Sequence, residues 1–165
     1  MFHNTSVKQG IPLIMNGTKP VTHFVSRNNI FIGTPGDWFC YENTAKLVDC
    51  DFDYDGFGAG EYSAFMKLNG TRYRTLDGMR EKSGMYANIV MLDSKKVFEK
   101  GDIRPENYEV QHRISDNDVR LASDSKAIDA GVRLHNINDD FEGEGPDLGA
   151  YELGQSIPHY GPRTN

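Results

Sequence analysis

Apolar positions in the first half of the chain fall into runs too short for helices: Pro12–Met15, Val21–Val25, Asn29–Ile32, Leu47–Phe52 and Glu61–Met66. Each is rich in β-branched or aromatic residues and flanked by Asn, Gly, Asp or Pro, the signature of strands separated by turns. A further apolar run, Ile89 to Leu92, is also strand-sized. Only Thr75–Ser83 has a helical pattern, with Thr75 as N-cap, Leu76 and Met79 on one face, and Gly84 as the stop. A short helix or turn over 75–83 is expected.

Three segments, His3–Val7, Arg27–Phe31 and Val48–Phe52, resemble one another at a mean step of about 22 to 23 residues, roughly one turn of a β-solenoid. In such a coil each rung buries its inward residues by stacking on its neighbours. The chain enters mid-repeat with no polar segment before Val7, so the first rung is expected to present an open edge. Either further chain precedes it or a partner covers it, most simply a second copy in a two-fold homodimer through the N-terminal end.

The 165 residues suffice for one core, and 17 glycines with no collagen-like period fit a turn-rich, mainly β chain. No apolar window reaches the roughly 18 residues of a membrane span. Met1–Thr5 lacks the start of a signal peptide. The compartment stays open, extracellular or periplasmic if the chain belongs to a longer secreted protein. Cys40 and Cys50 are too few for a disulfide framework and read as buried thiols. Residues 101–152 carry thirteen Asp/Glu against five Lys/Arg, whereas 66–100 carry eight Lys/Arg against four Asp/Glu. Such a net-acidic chain is not expected to bind nucleic acid, but its basic stretch suits an acidic glycan or a solvated face.

The C-terminal third carries Arg120–Gly131, then Asn138–Gly143 and Gly145–Glu152, with the tail Pro158–Arg163. These segments resemble the ending of right-handed parallel β-helix proteins of the pectate-lyase-like superfamily, which close on an SPAIDAG-type segment, a loop and PDLGAYE. Lys126 stands where the usual proline would be. Val25–Phe31 resembles a rung of those proteins, and Asp51–Gly56 with Phe65–Tyr73 a later section. The resemblance implies a C-terminal β-helix part: coils over 1–100, a terminal rung and acidic capping loop over 101–152, and a tail over 153–165. It fits polysaccharide lyases, hydrolases and non-catalytic modules alike. The residues themselves suggest that Asp129 accepts backbone N–H groups and that Gly131 takes positive φ.

Candidate chemistry follows from the same regions. Asp51, Asp53, Asp55 and Gly56 form D-x-D-x-D-G, the opening of a calcium loop, but Tyr62 stands where the closing Glu belongs and Glu61 is one place early. Calcium binding and surface aspartates are both open. The acidic loop Asp139, Asp140, Glu142, Glu144 and Asp147 leaves the same choice; no other cofactor is suggested. The resemblance to lyases makes Lys67, Arg72 and Arg74 candidates for proton abstraction and carboxylate neutralisation, against ordinary salt bridging. His112 is a candidate acid or base. Trp38, Phe39, Tyr41, Tyr54, Tyr62 and Tyr73 can stack on sugar rings or pack internally. The expected function is a carbohydrate-associated β-helix module, part of a lyase or hydrolase or a glycan binder; the alternative is a non-catalytic, self-assembling module.

Overall fold

A computed structural model describes residues 1–33, 40–58, 66–107, 109 and 118–157. The protein is a parallel β-helix. The first coil runs through β1 (Thr5–Val7), β2 (Leu13–Met15), β3 (Val21–Thr22) and β4 (Val25–Ser26). The second repeats this with β5 (Ile30–Ile32), β6 (Tyr41–Asn43), β7 (Leu47–Val48) and β8 (Asp51–Phe52). The third begins with β9 (Gly56–Gly58) and β10 (Met66–Leu68), then leaves the pattern through β11 (Thr71–Tyr73) and α1 (Leu76–Ser83) before β12 (Val90–Leu92).

Two four-stranded sheets result, ordered β1-β5-β9-β12 and β11-β10-β6-β2, with two-stranded sheets β3-β7 and β4-β8. Among the described residues all strand pairs are parallel except the hairpin β10–β11. The register places Thr5 beside Ile30, Ile30 beside Gly56 and Gly56 beside Val90, giving steps of 25, 26 and 34 residues. This corrects the shorter repeat expected from the sequence. Val7 pairs with Ile32 instead of Phe31, and Phe52 lies in a different sheet, because Phe31 pairs with Phe57. Two predicted strands are also split, Val21–Val25 at His23 (φ 55°) and Leu47–Phe52 at Asp49 (φ 52°). Both are left-handed corners at equivalent places in adjacent coils, since the registers of β3–β7 and β4–β8 both step by 26 residues.

A polar ladder fixes another corner. His3, Asn28 and Tyr54 all have positive φ, and each is followed by Asn4, Asn29 or Asp55. The Asn4 backbone N–H donates to Asn29 Oδ1 at 2.9 Å, and the Asn29 N–H donates to Asp55 Oδ1 at 2.9 Å. Each side chain thereby satisfies a backbone donor in the coil before it, which turns the chain without orphaning buried amides.

The coil interior holds Phe31, Tyr41, Phe52, Phe57, Met66 and Leu68, with the Phe31 and Phe57 rings 5.4 Å apart. Thr75 caps α1 as the sequence suggests, accepting from the Gly78 N–H, and Gly84 ends it in the left-handed conformation. Met79 enters the same cluster together with Tyr86 and Ile89. The helix and the chain that follows it therefore join the interior where the third coil departs from the repeat.

A second cluster covers the outside of the first sheet. Strand alternation turns Phe31 inward and Ile30 and Ile32 outward, where they meet Leu92, Val97, Phe98, Leu121, Ala127 and Leu148. The C-terminal segment thus packs laterally, as a buttress on one sheet face. Gly56 shows how tightly it fits: a Cβ there would lie 2.6 Å from Leu92 Cδ1 and 3.0 Å from Leu148 Cδ1. Asp129 Oδ1 accepts from the Glu144 and Gly145 N–H groups at 2.8 and 3.0 Å, as its sequence context suggests. The positive φ, however, belongs to Asp129 (55°), and Gly131 instead allows close approach to the Pro146 carbonyl.

Candidate functional site

The second sheet presents its outer face differently. Leu13, Met15, Tyr41, Met66 and Leu68 pack into or against the interior cluster, so alternation directs Ile14, Glu42 and Lys67 outward. Parallel register aligns Ile14 with Glu42 and Glu42 with Lys67, and the hairpin sets Arg72 opposite Lys67. Four side chains therefore form one row across adjacent strands, spaced by about 4.8 Å. Ile14 is 48% exposed and Arg72 is exposed at the hairpin edge. Between them Lys67 Nζ donates to Glu42 Oε1 at 2.8 Å, both side chains being largely covered. One carboxylate and two cations give the row a net positive charge, suited to holding an anionic group.

Of the residues singled out from sequence, Lys67 and Arg72 meet on this face, while Arg74 is exposed just beyond β11. His112, Trp38, Phe39 and Tyr62 lie outside the described residues. Tyr41 is buried in the interior, and Tyr73, opposite Met66, is half-buried against the same cluster. Tyr54 occupies the left-handed corner, where its carbonyl accepts from the Asn28 N–H at 2.8 Å. None of these three shares the Lys67 row. Glu42 was not legible as a site residue. Its signal is its place 25 residues before Lys67, which has meaning only once the register is known.

The three aspartates of the calcium-like motif diverge. Asp51 is exposed and pairs with Arg27, and Asp53 accepts from the Asn88 N–H and Nδ2 at 2.7 and 2.8 Å. Asp55 is buried, accepting from Ser26 Oγ at 2.7 Å and from Asn29 Nδ2 at 2.8 Å. The motif spans a coil corner instead of a loop, so its carboxylates serve three different partners. Among the described residues, no three His, Cys, Asp or Glu side chains are grouped to hold a metal ion. Burial raises the Asp55 carboxyl to about 6, against the opposing pull of its hydrogen bonds from Ser26 and Asn29 and the Arg27 charge. Cys40 and Cys50 remain thiols, and Cys40 donates to the Gly58 carbonyl at 2.9 Å. Among the described residues no helix is long and apolar enough to cross a membrane.

Comparison with family models, curated proteins and solved structures gave no match for this chain.

Proposed function

We propose that the protein is a carbohydrate-associated β-helix module, of the pectate-lyase-like kind, that binds an acidic glycan on the outer face of its second sheet. The observation carrying this reading is the Glu42–Lys67–Arg72 row, a cationic strip on a regular sheet surface. Lys67 and Arg72 attract carboxylates of the glycan, and Glu42 competes with those carboxylates for the Lys67 ammonium. The geometry favours binding over elimination, because the ammonium is already committed to an ion pair and a proton-abstracting base needs a free lone pair.

Competition gives two substitutions opposite signs. Glu42→Gln should tighten binding to a polyuronate about three- to tenfold, and Lys67→Gln should weaken it by a similar factor, corresponding to about 1 kcal/mol for a partly screened charge. Titration calorimetry against a polyuronate and a neutral glucan, at two salt concentrations, measures both. Equal affinity for the two polymers would reject the reading. New ultraviolet absorbance from unsaturated uronates during the same incubation would instead indicate a lyase.

A second reading, a self-assembling module, draws on the first coil, whose strands β1, β2, β3 and β4 are each outermost in their sheets. Unpaired strand edges recruit further strands. Val7 is a poor probe of that edge because it packs against the lateral cluster; Val25, 38% exposed on β4, is better placed. Light scattering at tens of micromolar should then find a dimer that Val25→Lys weakens at least tenfold. A monomer unaffected by the substitution would reject self-assembly.

A further inference from the structure

His3 joins the first coil to the returning C-terminal segment through bonds that fix its protonation state. The ring Nδ1 lies 3.2 Å from the Gly149 carbonyl, while Nε2 lies 3.1 Å from Asn28 Nδ2 and 2.8 Å from Asn138 Nδ2. Neither amide can turn over without breaking two other bonds. Asn28 donates Nδ2 to the Val132 carbonyl and accepts the Val132 N–H at Oδ1, both at 2.8 Å. Asn138 donates to that same carbonyl at 3.1 Å and accepts the Leu134 N–H at 2.6 Å. Nε2 consequently faces two N–H donors and must offer its lone pair, which leaves the proton on Nδ1 to be donated to Gly149.

We propose that His3 is an acid-released latch, whose protonation loosens residues 127–153 against the first two coils. A proton on Nε2 sets an N–H against two N–H groups held in place by backbone bonds, so the His3–Asn138 link between coil and segment is lost together with the His3–Asn28 link between adjacent coils. The latch is not the only tie, since Ala150 N–H also donates to Thr5 Oγ1 at 3.0 Å and Gly149 N–H to the Asn28 carbonyl at 2.8 Å. Release therefore means local opening along the segment, with the coils still stacked.

The charged groups around the ring do not supply a replacement acceptor. From the returning segment, Asp139, Asp140 and Glu152 line the same pocket, with Tyr151. Asp139 is held by Arg133 and the Asn136 N–H, Glu152 by the N–H groups of Glu142 and Asp147, and the Asp140 carboxylate is not among the ring's partners. Asp147, which favours the protonated ring through its field, accepts from the N–H groups of Asp129 and Leu153. From the second coil Arg27 flanks Asn28 and pairs with Asp51, and in the first coil the Met1 ammonium donates to the Val25 carbonyl. Burial outweighs the Gly149 bond and the Asp147 field and holds the ring's pKa below 6.5. A pKa lowered by folding gives stability that is complete above 6.5 and declines as pH falls below it.

Amide hydrogen exchange on the full chain between pH 7.5 and 5.0, corrected for intrinsic rates, tests this. Protection over residues 127–153 should fall, relative to His3→Gln, by up to about tenfold per pH unit below 6.5, the dependence of one linked proton. Peptides containing β5 and β9 should remain protected. Comparison with His3→Gln separates the latch from Asp55, Asp147 and Glu152, which that substitution leaves in place. Asn138→Asp puts an acceptor beside Nε2 and should abolish or reverse the fall. Identical pH slopes in wild type and His3→Gln would overturn the proposal, as would an unchanged slope in Asn138→Asp.

Discussion

Asp55→Asn should stabilise the protein above pH 6 by up to about 3 kcal/mol, the free energy of moving a carboxyl from 3.8 to about 6. The folded state binds this proton more tightly than the unfolded chain, so the wild-type contribution is greatest below 3.8 and declines as pH rises, levelling off above about 6. An amide keeps an oxygen for the Asn29 N–H and Nδ2 donors and offers its own N–H toward Ser26 Oγ, without placing a charge in the core. It also continues the ladder in the residue type that Asn4 and Asn29 already use. Urea denaturation at pH 3 and pH 8 should show the two proteins close at the lower value and separated at the higher, with about half of the full difference already present at pH 5. If Asp55→Asn is less stable at pH 8, the carboxylate's hydrogen bonds outweigh its desolvation. Asp55→Ala leaves the Ser26 and Asn29 donors without their acceptor and should lose about 2–4 kcal/mol at pH 5.

Leu148→Ala should cost about 3–4 kcal/mol, the usual loss for a buried leucine whose cavity cannot collapse. Leu148 is fully buried beside Gly56, with Ile30, Ile32 and Leu92 in the same cluster. The Gly56 backbone beneath it offers no side chain to move into the gap, and Leu92 is already in close contact with that glycine. Ile137, 54% exposed on the same segment, is the control, and its replacement by Ala should change stability by less than about 0.5 kcal/mol. Chemical denaturation gives both values. A loss under 1 kcal/mol for Leu148→Ala would mean that the segment lies outside the cooperative unit.

The solenoid was legible because a stacked coil leaves apolar runs between turns, and α1 because Thr75 and Gly84 are strong local signals. Register was the hard part. Apolar similarity aligned Val7 with Phe31, one residue from the true pairing of Val7 with Ile32, and in a strand that slip exchanges the two faces. The third repeat disguised itself further: Gly56-Phe57-Gly58 has little strand propensity, since its glycines make room for Leu92, Leu148 and Ile32. Asn4, Asn29 and Asp55 would have set the register, but their ladder links amides with a carboxyl and escapes a search for apolar likeness. In the candidate site, Lys67 and Arg72 declared themselves by type. Glu42 required the register, and the aspartate motif carried no sign that its three carboxylates straddle a coil corner at Tyr54.

The lateral buttress also governs the order in which the chain becomes itself during synthesis. Its bonds join residues far apart: Asn28 to Val132 across 104 positions, His3 to Asn138 across 135 and Thr5 to Ala150 across 145. Such separations slow folding, because loop closure precedes any reward from the contact. At translation rates of about 5–20 residues per second, Ile30 and Ile32 emerge on the order of ten seconds before Leu148 exists to cover them. For that interval the nascent chain carries an apolar sheet face in water, and a chaperone that shields it transiently would be occupying the place of the segment that carries Leu148.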